Sequence, residues 1–332
     1  MKKPCTLIDI AKACNTSNVT VSKALSGKSG VSNELREKIK TIAEEMGYIS
    51  NRSSAVKNNR IVGVLIPEKF INPNGSFYWG LYNCIVQRLK KEGISCIMEN
   101  LSQEDENKFI MPNFVIDHKI SGLISLGQVS DSYAERLYLN FPQMLMLDYC
   151  VPQVKADSII SNGYAGGYKL CSYLISMGHT KIGYIGTKLA TTSIFDRYMG
   201  YLKAMIEHGL DIPECWTIDD RGTDGKFIDI SLPDQMPTAF ICNCDETAYL
   251  AIKQLKEKGY SVPEDISVVG YDNYLISEVS DPTITTIAVD AEYMADSAVC
   301  TIVERIANPN KQPRTQTLDG DLVIKNSVNK LV

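Results

Sequence analysis

From Ile61 to Ala307 the sequence alternates short apolar runs with amphipathic helical segments, and few folds accept that alternation. Val62-Gly-Val-Leu-Ile-Pro67 reads as a buried strand, Phe77 to Lys90 as a helix, and Ile94–Met98, Gly122–Leu126 and Met144–Leu147 as further strands. A helix then runs from Gly163 to Met177, a strand over Lys181–Gly186, and a helix from Arg197 to His208. Thr238–Cys242 and Ile266–Tyr271 are strands, and Asp245–Glu257 and Ala291–Ala307 are helices. Strands that are apolar at successive positions are buried on both faces, as in a parallel sheet layered by helices. About 270 residues of this pattern exceed one small sheet, so the expected architecture is α/β with two lobes.

The first fifty residues have a different period. Thr6 followed by Asp9 resembles a capping box and opens a helix over Leu7–Ala13. Ser17 can cap a second helix with Val21, Ala24 and Leu25 on its apolar face, ended by Ser26-Gly27. Ser32 can cap a third, with Leu35, Ile39, Ile42, Ala43 and Met46 at helical spacing, ended by Gly47. Three short helices with a tight first turn fit a helix-turn-helix reader of DNA. Ser17, Asn18, Thr20 and Ser22 are short enough to reach base edges or phosphates, and Lys23 supplies a point charge. Periodicity equally allows a small helical bundle that binds a partner protein.

Charge is compatible with the first reading without deciding it, because the excess over 60 residues is modest. Residues 1–60 hold 11 Lys+Arg and 5 Asp+Glu, whereas the whole chain is −5. A basic head on an acidic body suggests that only the head meets a polyanion. The ten cysteines are scattered without a CxxC pair, which argues against a zinc or redox motif, and Cys242 and Cys244 read as inert core thiols on one strand face. The histidines His118, His179 and His208 show no metal spacing, and His179 reads as structural. There is no nucleophile elbow and no phosphate-cradling loop, so neither an enzyme nor a cofactor is expected. The N-terminus does not read as a secretory signal, and no apolar run spans a bilayer. A cytoplasmic protein without membrane contact is expected.

The run Thr6-Leu-Ile-Asp-Ile-Ala-Lys-Ala, then Thr20-Val-Ser-Lys-Ala-Leu-Ser-Gly, then Val31-Ser and Ala43-Glu-Glu-Met-Gly-Tyr48 resembles the LacI/GalR family of bacterial transcription regulators. The resemblance implies that Ser17–Leu25 is the recognition helix, with Asn18 and Val19 in its variable base-reading positions. It places Ser22 and Lys23 on bases or phosphate, and Thr6, Ser32, Tyr48 and Asn51 on the DNA backbone. Lys23 stands where the family usually has Arg, which weakens bidentate reading of guanine. Val19 offers only apolar contact, for instance to a thymine methyl.

In such proteins the joint after the head forms a hinge helix on DNA and wedges an apolar side chain into the minor groove. Here Ser50 replaces the usual Pro and Lys57 falls where the wedge leucine belongs, which leaves Val56 as the nearby apolar candidate. A flexible linker and a hinge helix are both open, and Arg52, Lys57 and Arg60 can neutralise phosphates in either.

The body carries the resemblance too, in Gly166-Gly-Tyr-Lys-Leu, Gly178-His-Thr-Lys-Ile-Gly-Tyr-Ile-Gly186, Arg197-Tyr-Met-Gly-Tyr201, Pro237-Thr-Ala-Phe, Val262-Pro-Glu-Asp-Ile-Ser-Val-Val-Gly-Tyr-Asp272 and Pro282-Thr-Ile-Thr-Thr286. These runs imply two Rossmann-like lobes similar to periplasmic sugar-binding proteins, with an effector in the cleft at the strand ends. Asp148 and Asp272 follow strands, and Arg197 is read as opening a helix; carboxylates and a guanidinium so placed can bind sugar hydroxyls. Phe77 and Tyr78 match the aromatic pair that packs on a ligand, and Asp245 matches the acid of an Asn-Asp pair whose amide is here Cys244. Strand alternation points Asn243 away from the cleft, and the short segment Asp219–Met236 leaves room for only a turn or two of helix.

The expected organisation is a helix-turn-helix domain over 1–49, a hinge or linker over 50–60 and a two-lobed effector-binding and dimerisation domain over 61–332. The expected function is a ligand-responsive repressor that binds a pseudopalindromic double-stranded operator as a homodimer and answers to a sugar or sugar derivative. The alternatives are a regulator that answers to a protein corepressor and an intracellular solute-binding protein that ignores DNA.

Overall fold

The chain, described from a computed structural model, divides into two compact units, Met1–Arg60 and Ile61–Val332. The structure describes residues 7–25, 31–46, 60–71 and 76–331.

In the first unit, helices α1 (Leu7–Ala13), α2 (Asn18–Leu25) and α3 (Asn33–Glu45) enclose a small core. Ile10, Val21 and Ile39 are fully buried in it beside Ala11, Cys14, Ala24 and Ala43. Both caps read from the sequence form: Ser17 Oγ accepts from the Thr20 amide at 3.1 Å, and Ser32 Oγ from the Leu35 amide at 3.3 Å. Asn15 makes the tight turn between α1 and α2 by adopting φ 49°, a left-handed state that asparagine tolerates. Met46 is left outside α3 and largely exposed, contrary to its place in the apolar spacing.

The second unit has two lobes, each with a six-stranded sheet. The elements of the first lobe are β1 (Ile61–Pro67), α4 (Phe77–Lys91), β2 (Ser95–Leu101), α5 (Gln103–Asn107), α6 (Asn113–Ile116), β3 (Gly122–Leu126), α7 (Asp131–Asn140), β4 (Met144–Leu147) and β5 (Asp157–Ser161). The second lobe follows with α8 (Gly163–Ser176), β6 (Ile182–Ile185), α9 (Thr192–Glu207), β7 (Thr217–Ile218), β8 (Ala239–Cys242), α10 (Asp245–Glu257), β9 (Ser267–Asp272), α11 (Leu275–Val279) and β10 (Thr285–Ala288). The chain then returns to the first lobe through α12 (Ala291–Ala307) and β11 (Thr315–Leu318), and ends on the second with β12 (Asp321–Val323).

The sheet orders are β11-β5-β4-β3-β1-β2 and β12-β10-β9-β8-β6-β7. Every pairing between these strands is parallel except β10 with β12. Helices cover both faces of each sheet, which is why central strands such as β1, β4 and β8 are apolar at successive positions rather than at alternate ones. The edge strand β2 runs past Met98 to Leu101 because it pairs with β1 along its whole length. The alternation weakens there at Glu99 and Asn100, so the sequence reading stopped short.

Helices α8 and α9 pack closely against each other through glycine contacts. A Cβ on Gly167 would lie 2.1 Å from the Arg197 carbonyl oxygen, and one on Gly200 would lie 2.1 Å from that of Tyr164. His179 is buried, with Nδ1 3.0 Å from Thr238 Oγ1 and Nε2 3.1 Å from the Asn329 carbonyl oxygen. It therefore tacks the end of the chain to the second lobe, as its reading as structural anticipates.

Candidate functional site

The head presents one candidate surface. On α2, Val21 and Ala24 face the core, while Asn18, Val19, Ser22 and Lys23 are exposed on the other side. Val19 is 63% exposed, which leaves its side chain available for contact. Ser17 Oγ and Thr20 Oγ1 lie 2.8 Å apart at the start of the helix. Their first role is therefore to cap α2 and hold its angle. Thr6, Tyr48, Asn51 and Val56 lie outside the described residues, as do 50–59 of the joint.

The body holds the second candidate, a cavity in the cleft between its lobes. The first lobe supplies Phe77 and Tyr78 from the start of α4 and Asp148 from the end of β4. The second lobe supplies Arg197 from α9 and Asp272 from the end of β9. Asp148 has φ 65° and Asp272 has φ 106°. These sparsely populated conformations turn both carboxylates out of their strands and cost of order 1–3 kcal/mol each. Such strain concentrates at ligand sites.

Arg197 is the centre of this arrangement. Nη1 donates to the Asn243 carbonyl at 2.5 Å, Nη2 donates to Asp272 Oδ1 at 3.3 Å, and the guanidinium lies 3.7 Å from the Tyr271 ring centroid. Tyr78 donates its hydroxyl to Asp148 Oδ2 at 2.8 Å. Burial pushes Asp272 up to about 7, against the pull of Arg197 and with repulsion from Asp148 adding to the rise. Burial also raises Asp148, while Arg197, Tyr78 and Ser161 oppose the shift. Burial works against the charge of Arg197, but Asp272, Tyr271 and Asp148 outweigh it and raise its pKa. A buried carboxyl held near 7, as Asp272 is, can donate as well as accept, which suits hydroxyl-bearing ligands.

Several expectations need correction. Arg197 does not open a helix: α9 starts at Thr192 under the Thr191 cap, whose Oγ1 accepts from the Ile194 amide at 3.2 Å. The cap residues Thr191-Thr192-Ser193 were legible in the sequence, and the guanidinium reaches the cleft from the second turn. Asp245 is fully buried and lines no part of the cavity. It accepts from Thr286 Oγ1 at 2.6 Å and from the Tyr274 amide at 3.2 Å, so it ties α10 to the sheet beneath the cleft. Asn243, expected to point away, lines the cavity, as does Cys244. Strand β8 ends at Cys242 and the chain turns into α10, so strand alternation no longer applies at 243 and 244. Cys242 alone of the two thiols joins the apolar core.

Segment 219–236 contains no helix. It forms a tight hairpin in which Arg221 pairs with Phe227 and the Gly222 amide donates to the Lys226 carbonyl at 2.9 Å. The turn residues of Arg221-Gly-Thr-Asp-Gly225 explain the hairpin. It carries Arg221 and Phe227 into the cavity wall, and both were missed by the sequence reading. Lys69, Glu246 and Tyr274 were missed as well. None sits in a motif, because each reaches the cleft from a loop or a first helical turn.

Among the described residues there is no cluster of ligands suited to a metal ion, and no helix is long and apolar enough to cross a membrane.

Comparison with known proteins places both parts. Residues 6–51 match the model of bacterial regulatory proteins of the lacI family, and residues 171–328 match a periplasmic binding protein-like domain. The ribose operon repressor of Haemophilus influenzae is 28% identical over 334 positions, covering 98% of this chain and 99% of the relative. The transcriptional repressor PurR of Glaesserella parasuis is 28% identical over 341 positions, with 98% and 99% covered. Among solved structures, a transcriptional regulator CelR–cellobiose complex superposes with a TM-score of 0.69 at 20% identity, over 97% of this chain and 99% of that one. A lac repressor dimer bound to operator and an anti-inducer gives 0.68 at 23% identity, over 98% and 100%. These likenesses bear out the two-lobed α/β fold with a helix-turn-helix head.

Proposed function

Because this chain belongs to the lacI family of bacterial regulatory proteins, we propose that it is a sequence-specific transcriptional repressor controlled by a small effector bound in the cleft. The observation that carries the reading is the outer side of α2, where Asn18, Val19, Ser22 and Lys23 stand exposed while Val21 and Ala24 anchor the helix to its core. A helix so anchored can enter the major groove with its polar side toward the base edges. Asn18 and Val19 read bases, Ser22 and Lys23 contact bases or phosphate, and the caps at Ser17 and Ser32 bring helix starts to the backbone.

One head covers one half-site, so two copies bind a pseudopalindrome. The domains are 1–49 for the head, 50–60 for the joint and 61–332 for the effector-binding and dimerising body. Asp148, Arg197 and Asp272 hold a sugar or sugar derivative, with Phe77 and Tyr78 along its apolar side. Asp148 belongs to one lobe and Arg197 and Asp272 to the other, so a ligand spanning them favours closure. Closure then couples to DNA affinity by linkage. On this reading the chain binds its effector without transforming it.

Selection of genomic duplexes by the full-length protein at one stated salt concentration tests the reading. A recovered palindrome that Lys23→Ala loses supports it. With a phosphate contact gone, the salt dependence of log K falls by about one in slope. Indifference to sequence across all duplexes refutes it and leaves a solute-binding protein.

A further inference from the structure

The cavity contains cations that hydroxyl recognition does not require. Arg221 comes from the hairpin that replaces the expected helix. Its Nη1 is committed to Asp220 Oδ2 at 2.7 Å and Asn243 Oδ1 at 3.0 Å, and its plane lies 4.5 Å from the Phe227 ring centroid. Its Nη2 donates to the Cys244 sulfur at 3.6 Å, a weak contact beside those of Nη1. The guanidinium is therefore held at one end and on one face, with an edge on the cavity wall. A preorganised edge of this kind suits bidentate binding of a carboxylate or phosphate.

Lys69 lines the same cavity from the other lobe and sits against the hairpin: a Cβ on Gly225 would lie 3.2 Å from its Cδ. Its ammonium lies 5.2 Å from the Phe70 ring centroid, and no ion pair among the described residues uses it. Cys244 is the N-cap of α10 but its sulfur accepts from no first-turn amide, lying instead 3.2 Å from Thr247 Oγ1, so the start of that 13-residue helix adds its dipole to the same wall.

The opposing charges are Asp148, Glu246 and Asp272 on the lining and Asp220 behind Arg221. Asp220 is spent on Arg221, Asn243 and Thr247. Glu246 accepts from the Tyr274 hydroxyl at 3.3 Å. Asp272 is pushed up to about 7 and so carries less than a full negative charge near pH 7, and burial raises Asp148 in the same direction. The hairpin side of the cavity thus carries two cations, Arg221 paired with Asp220 and Lys69 in no ion pair among the described residues.

We infer that the effector is an anionic polyol, whose hydroxyls meet Asp148, Arg197 and Asp272 and whose carboxylate or phosphate lies between Arg221 and Lys69. This rests on the proposed role of the cleft as the effector site and names the ligand class it takes.

The test titrates the full-length protein, by calorimetry, with matched pairs: ribose and ribose 5-phosphate, glucose and glucose 6-phosphate, glucose and glucuronate. The inference requires at least one charged member to bind about tenfold or more tightly than its neutral partner. It also requires that ratio to fall with added salt and to shrink toward one in Arg221→Gln. Lys69→Gln, a change on the other lobe, must narrow the ratio too and guards against misfolding of the hairpin. Preference for phosphate or for carboxylate identifies the source of the charge. Neutral members that bind equally or better overturn the inference while the effector reading stands. Failure of every sugar, neutral or charged, in a protein that still selects its operator overturns both.

Discussion

Gly167→Ala is the substitution whose consequence runs furthest through this molecule. The new Cβ would sit 2.1 Å from the Arg197 carbonyl oxygen, whereas ordinary contact begins near 3.4 Å. The obstacle is backbone, so it cannot rotate aside, and α9 has to retreat from α8 by about 1 Å or more. Arg197 travels with α9. Its Nη2–Asp272 separation is already 3.3 Å, so a shift of that size away from the sheet breaks the bond. Overpacking costs about 1–3 kcal/mol, and loosening a buried ion pair pushes the total toward the upper end or beyond. Both tryptophans, Trp79 and Trp216, belong to the body, so tryptophan fluorescence in urea follows that unit without the head. The expected result is a lower midpoint, corresponding to a loss of about 2–4 kcal/mol, together with weakened effector binding. Gly80→Ala is the control: a Cβ there meets nothing within 4 Å, and the position is helical and exposed. That change is neutral or gains up to about 1 kcal/mol. If Gly167→Ala keeps both the wild-type midpoint and the wild-type effector affinity, the close approach of α8 and α9 is not what holds Arg197.

Three further outcomes follow from single contacts. Asp272 sits at about 7 in the folded body, above its ordinary value of 3.8, so its stabilising contribution is complete below 3.8 and lost as pH rises through about 7. Across that window the wild type loses about 2–4 kcal/mol relative to Asp272→Asn in urea melts; parallel pH profiles contradict this. Gln128, after β3, accepts from the Thr192 amide at 2.7 Å and hydroxyl at 3.1 Å, linking one lobe to the other. Gln128→Ala removes about 1–3 kcal/mol of closure and widens the ligand-free body in small-angle scattering, and an unchanged radius of gyration refutes the latch. Arg305 Nε donates to Asp157 Oδ2 at 2.9 Å in a buried pair between α12 and β5. Arg305→Met costs about 3–5 kcal/mol by stranding the carboxylate, and adding Asp157→Leu restores most of it; a double variant as unstable as the single one counts against that account.

The motifs reveal residue types more reliably than they reveal directions. The Arg197-x-x-Gly200 spacing is visible in the chain, but its physical meaning is a helix packed so closely that only hydrogen fits at position 200. Asp148 and Asp272 were legible because each ends an apolar run, and the structure adds that both adopt positive φ to face the cleft. Asp245 was misplaced for a related reason. An acid at the start of a helix can face outward or toward the sheet, and here Thr286 and the Tyr274 amide draw it inward.

Local rules were enough for the rest of the framework. Three short helices in the head, two of them with observed caps, and buried strands separated by amphipathic helices in the body follow from periodicity and capping chemistry, which act over a few residues. The cleft does not. Lys69, Arg221, Asn243, Cys244 and Asp272 come together from four separate stretches of chain, and two of those stretches are loops without a periodic signature. Which side chains share that space depends on how the sheets stack and how far α9 approaches α8. Those distances are fixed by packing between elements remote in sequence, so only the tertiary structure could decide them.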